Sequence, residues 1–203
     1  SVFGLFQGRL RLDPNQTAIR QWVPIAGDAL GRLKSQTFVG YEPDFTAGDD
    51  IVEADPTHSK INGPRSGVFD EDGRYYFSTS SGIFKVAGGS ITKILNPGRL
   101  ITSMSIIREK GVNHFFITSD DRILHFREDQ NVLTRLCLPG SFLNGNRHII
   151  VMKDASASFE DRLLLSDTDN SRVLMYYIRQ EGRLQLSPHQ TGTTCGALFD
   201  PTL

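Results

Sequence analysis

The residues of this chain that could do chemistry are mostly acidic. The run SDTDNSRV (166–173) brings Asp167, Asp169 and Asn170 close together. Such alternating oxygen ligands could suit calcium, but the downstream Gly and Glu of a calcium loop are missing. Asp70 in FDED and Asp200 in FDPT hold matching places. A carboxylate pair facing an axis is what a glycosidase would need. Their equivalence argues instead for a structural role, an Asp side chain closing the turn after a strand. Five histidines, His58, His114, His125, His148 and His189, fall at unlike positions. A metal site needs several to converge. Of these, His114 and His125 could be neighbours in one sheet, where strand packing is the expected role.

The usual catalytic signatures are absent. The chain contains no G-x-S-x-G, H-E-x-x-H, C-x-x-C or phosphate loop, and no G-x-G-x-x-G after a strand. No cofactor is implied, and the expectation is a binding protein without enzymatic activity. The candidate ligand contacts are Ser80, Asp120, Asp121, Asp167, Asp169 and Asn170. All lie in polar turns, where hydrogen-bonding sites are commonly built. Capping the turns is an equally good use of each.

These residues must be positioned by a unit that recurs. GRLRLDPNQTAIRQWVPI (8–25), GIFKVAGGSITKILNPG (82–98), RILHFREDQNVLTRLCLPG (122–140) and RVLMYYIRQEGRLQLSPHQ (172–190) align as strand, short turn, strand. Ahead of the last three lie further pairs of strands: SGVFDEDGRYYFSTSS (66–81), TSMSIIREKGVNHFFITSDD (102–121) and RHIIVMKDASASFEDRLLLSDTDNS (147–171). Four short strands per repeat make the blade of a β-propeller. The inner-strand residues Val39, Phe69, Ile106, Val151 and Phe199 recur at intervals of roughly 40 residues, the usual blade length. ALFDPTL (197–203) resembles the start of a blade and SVFGLFQGRLRLD (1–13) its continuation.

The expectation is therefore an all-β fold, a five-bladed β-propeller of four-stranded antiparallel blades. The ring would be closed by N- and C-terminal strands sharing one blade. The repeats lie near 197–203 plus 1–27, 37–65, 66–98, 102–140 and 147–190, within one domain over 1–203. The 37–65 repeat is the weak member, with a short outer hairpin.

Composition agrees with this class. Hydrophobic residues make up 38% of the 203, and 19 Gly and 9 Pro serve many tight connections. No apolar run approaches the roughly 18 residues of a transmembrane helix, so no membrane insertion is expected. The net charge is −1 with both signs interspersed. A nucleic-acid partner is not expected, because phosphate binding needs clustered Lys and Arg. The sequence leaves open whether Cys137 and Cys195 pair, and it leaves the oligomeric state open. The chain opens at Ser1, and Asn15-Gln16-Thr17 is a glycosylation sequon. Both suit a secreted, extracellular protein.

The chain resembles the tachylectin type of five-bladed propeller lectin, most closely in GVFDEDGRYYFSTSSGIFKV (67–86). Phe69, Asp70, Gly73, Tyr75, Ile83, Phe84 and Lys85 carry that resemblance. The turn at 166–173 also resembles NHL-type blades, in which Asp and Arg hold strands together. The chain departs from the tachylectin pattern in its divergent repeats and its single Trp22. The resemblance implies a multivalent, carbohydrate-binding function with N-acetylated sugars favoured, in pockets between blades. A protein-interaction scaffold, docking its partner through 139–147 and 41–60, is the alternative. A metal-dependent propeller hydrolase or lactonase ranks last.

Overall fold

The computed structural model describes residues 11–12, 18–40, 51–119, 122–136, 144–153, 161–180, 184–188 and 199–200. Among them the regular structure is β-strand, with two short 3-10 turns at Pro56–His58 and Thr168–Asn170. No helix of the described residues is long and apolar enough to cross a membrane. The chain divides into two compact units, Ser1–Arg99 and Leu100–Leu203.

The first unit holds two sheets. Strands β1 (Arg11–Leu12), β2 (Ala18–Pro24) and β3 (Leu33–Gly40) pair in order as an antiparallel sheet. Strands β4 (Ser66–Phe69), β5 (Tyr75–Ser78), β6 (Ile83–Ala87) and β7 (Ser90–Leu95) form a four-stranded meander. Period-two alternation sends Tyr75 and Phe77 of β5, with Phe84 and Val86 of β6, to one face. They join Ile19 and Val39 of the first sheet, with Ile61 and Ile91, in one buried cluster. Phe77 and Phe84 stack with centroids 5.4 Å apart. Gly88 and Gly89, both at positive φ (56° and 79°), make the two-residue turn of the β6–β7 hairpin. Such a primed turn matches the strand twist and favours glycine.

The weak repeat at 37–65 has a different place from the one its spacing suggests. Its first residues lie in β3, which pairs with β2 from Ala18↔Gly40 to Pro24↔Leu33. The remainder, from Ile51, forms no sheet of its own among the described residues. It runs against the second sheet, with Ile91 N donating to Glu53 O at 2.8 Å and Arg65 N to Ser78 O at 3.0 Å. Ile61 and Ile51 thereby enter the core between the two sheets. The physical reason is the eight-residue β2–β3 connection, which lets β3 fold straight back on β2.

The second unit also holds two sheets. Strands β8 (Ser103–Glu109), β9 (Val112–Ser119), β10 (Arg122–Arg127) and β11 (Val132–Leu136) form a meander. Strands β12 (Asn146–Met152), β13 (Asp161–Asp167), β14 (Arg172–Gln180) and β15 (Leu184–Pro188) form another. Strand β16 (Phe199–Asp200) pairs with the outer strand β11, Leu136↔Phe199, while residues 1–10, which the sequence places in the same closing blade, lie outside the described residues. The two sheets pack through Ile107, Phe116, Ile123 and Leu136 on one side and Ile149, Leu163, Leu165, Tyr176 and Ile178 on the other.

The open edge of β12 is also satisfied within this unit. Ile149 N donates to Ser103 Oγ at 3.3 Å, and Val151 N to Ser105 Oγ at 2.9 Å. Two serines spaced by two residues on β8 thus serve two backbone N–H groups spaced by two on β12. An unpaired buried edge would otherwise cost about the free energy of each lost bond.

Candidate functional site: the acidic turns

One recurring device engages the carboxylates of several turns, and Asp167 is the one expected ligand contact among them. Asp70 follows β4 and is buried. Its carboxylate accepts from Asp72 N at 3.0 Å, Arg74 N at 2.9 Å, Arg74 Nε, and the Tyr76 hydroxyl at 3.2 Å. The β4–β5 turn is therefore closed by one side chain, as its position after the strand suggests. Arg74 lies beside Asp70 and Asp72. Burial lowers its pKa, but its bond to Asp70 and the neighbouring negative charges outweigh that and raise it.

Asp28 repeats the arrangement in the β2–β3 turn. It accepts from Leu30 N at 3.1 Å, Arg32 N at 3.0 Å and Arg32 Nε at 2.8 Å. Asp28 and Asp70 are both followed four residues later by Arg. Asp55 caps the 3-10 turn at Pro56, accepting from Thr57 N at 3.1 Å and His58 N at 3.3 Å. The His58 ring lies 2.6 Å from its other oxygen. The Asp28 and Asp55 carboxyls are held below the ordinary carboxylate range, Asp28 chiefly by the Arg32 bond and Asp55 chiefly by the Thr57 bond.

Asp167 ties a turn to a neighbouring loop. It is fully buried at the end of β13. It accepts from Asn144 N at 2.8 Å, the Asn170 side-chain amide at 2.9 Å and Arg172 Nε at 2.6 Å. Burial alone would raise its pKa, but these three donors outweigh it and hold the carboxyl low. Asp169 N returns a bond to Asn144 O at 3.3 Å. Ser171, at φ 53°, then turns the chain into β14. This agrees with Asp and Arg holding strands together at 166–173.

The six candidate contacts thus divide. Asp167 is spent on the fold, and Asn170 donates to it. Asp169 and Asn170 are exposed on the 3-10 turn. Ser80 is exposed at the tip of the β5–β6 turn, its N–H directed at Asn62 O at 3.5 Å. Asp120 and Asp121 lie outside the described residues, as do Cys137, Cys195, the Asn15 sequon and the loop segments 41–50 and 137–143. The side chain of Asp200 is likewise outside them. Among the described residues no group of three or more His, Cys, Asp and Glu is placed to hold a metal ion.

Sequence reasoning passed over a second feature. The face of the β12–β15 sheet opposite its core carries Ile150, Met152 and Val173, which are 55%, 47% and 71% exposed. Register places the three on one side, with Leu164 and Met175 between them. The signal was present: β12 is apolar at consecutive positions, Ile149 to Met152, so one of its two faces carries apolar side chains that the core does not use.

No family model matches this chain, and no curated protein does. A solved structure described as the crystal structure of a nidogen/laminin complex is similar, with a TM-score of 0.50 and 14% identity. The similarity covers 86% of this chain, and the chain spans 60% of the length of that one. With three four-stranded antiparallel meanders among the described residues, the likeness shows an all-β, β-propeller-like fold.

Proposed function

We propose that this chain is a non-enzymatic binding module that recognises a protein partner through the outer face of its β12–β15 sheet. The observation that carries this reading is the contiguous exposure of Ile150, Met152 and Val173 on that face. Exposed apolar patches on soluble domains commonly mark protein contacts. The acidic turns support it indirectly, because Asp28, Asp70 and Asp167 already accept three or more hydrogen bonds each within the chain. The nidogen/laminin structure is of a protein complex; its likeness here extends to the fold alone.

Carbohydrate binding, with N-acetylated sugars favoured, is the competing reading. Ser80, Asp169 and Asn170 are the exposed polar groups it would use. Roughly 40-residue spacing supports a five-bladed ring.

The test uses the full chain and an Ile150→Asp/Val173→Asp variant. Both positions are exposed, so each change should leave stability within about 0.5 kcal/mol. A stoichiometric partner retained by the wild type should bind the variant at least tenfold more weakly, while a broad glycan array stays blank. Array binding competed by free N-acetylglucosamine, or a partner indifferent to the variant, would overturn the proposal.

A further inference from the structure

Inside the second unit two histidines are buried against each other. His114 on β9 and His125 on β10 are 7% and 5% exposed. Their Nδ1 and Nε2 atoms are 3.0 Å apart, and the rings stack at 5.2 Å. Register puts both on the face that also carries Ile107, Phe116, Ile123 and Leu136. That face packs on the β12–β15 sheet. Phe116 lies 5.4 Å from the His125 ring. Neither the turns nor the apolar outer face uses this pair.

We propose that the His114–His125 pair is a proton-operated latch on the packing of the β8–β11 sheet against the β12–β15 sheet, closed at neutral pH and loosened near pH 5. The ring-to-ring bond needs a lone pair on one of the two nitrogens. If both rings are protonated, two N–H groups face each other 3.0 Å apart. Two like charges then also lie within about one ring diameter in a nonpolar setting, where burying a charge is costly.

The charges around the pair are of both signs. On the facing surfaces lie Glu109 of β8 and Arg127 of β10, with Asp129 in the turn that follows. From the other sheet come Lys153, Asp161 of β13 and Tyr176 of β14. Arg127 already binds Asp129 at 2.7 and 3.0 Å, so its charge stays beside the histidines. Lys153 Nζ reaches Arg108 O at 3.5 Å. Burial lowers the His114 pKa, with Arg127 adding to this and Asp129 and Glu109 opposing it. Burial, then His114 and Arg127, bring His125 down to about 3.

The sign follows from these directions. An opened chain has histidines of ordinary pKa, roughly 6.5. Between that value and the lower folded values the open form binds more protons. The packing is therefore at full strength above about pH 7 and weakens as pH falls below 6.5.

The test is urea unfolding of the full chain at pH 7.5, 6.5 and 5.0, with hydrogen exchange reporting on β9, β10, β13 and β14. In the wild type the opening constant of these strands should rise by up to about tenfold per pH unit per histidine below 6.5. A His114→Gln/His125→Gln variant should lose that dependence. A flat wild type, or an unchanged slope in the variant, would overturn the latch. If the double variant does not fold, ring-proton NMR of the folded wild type decides. No titration of His125 above pH 5 is expected, and a folded-state midpoint near 6.5 would overturn the proposal.

Discussion

Replacing Asp70 by Ala should destabilise the chain by about 3–5 kcal/mol, the scale of removing one partner from a buried ion pair. The carboxylate is buried and accepts four bonds at once, from two backbone N–H groups, Arg74 and the Tyr76 hydroxyl. Truncation leaves the Arg74 guanidinium without its nearest counter-charge and removes an acceptor from the fully buried Tyr76. Each orphaned donor carries a desolvation cost of about 1–3 kcal/mol. Asp70→Asn keeps one acceptor oxygen in place and should recover part of the loss. Urea unfolding midpoints for the three proteins check the order. A neutral Asp70→Ala would return Asp70 to consideration as a site residue.

The second large effect separates two neighbours in the same acidic run. Asp167→Ala should cost about 2–4 kcal/mol, because three donors lose a fully buried charged acceptor. Asp167 serves three donors against the four on Asp70, which keeps the figure below that for Asp70. Asp169→Ala, on the exposed turn, should stay within about 0.5 kcal/mol. The Asp167 carboxyl is held low, so its contribution is complete above the ordinary carboxylate pKa of about 3.9 and is lost as pH falls through the folded value. The gap between wild type and Asp167→Ala should accordingly narrow as the solution is taken below about pH 4. Thermal unfolding at pH 7 and pH 3 reads both points.

Much of the architecture was legible because alternation and turns coincide. From β4 to β15 each strand is apolar on at least one face, and most connections carry Gly, Asp or Asn. Three consecutive meanders follow from those patterns alone. Less legible was the partner of Leu33–Gly40. Its alternation suits the outer strand of one sheet as well as the inner strand of the next. Only the turn at 25–32, held by Asp28 and Arg32, selects between them. The Asp-x-x-x-Arg spacing at 28 and 70 was a readable sign of that device. The sequence placed Phe199 in an inner strand but did not foresee its pairing with Leu136 of β11, since two residues carry too little pattern to choose an edge.

The candidate site was legible in location more than in role. Of the described acidic candidates, Asp167 ends β13 and Asp169 lies in the turn that follows. Whether a carboxylate faces solvent or its own backbone depends on contacts as distant as Asn144 to Asp167, which local spacing does not encode. The pairing of His114 with His125 follows from the β9–β10 register, and their burial follows from the sheet they face.

The central claim is that the carboxylates of the described turns, at Asp28, Asp55, Asp70 and Asp167, serve the fold. It is tested most directly by the thermal midpoint of the wild type and Asp169→Ala with millimolar calcium or N-acetylglucosamine. A ligand at a hundred times its dissociation constant would stabilise a folded site by about 2.7 kcal/mol. The account predicts no shift for either protein with either ligand. A shift in the wild type that Asp169→Ala abolishes would contradict it and make the 166–173 turn a binding site.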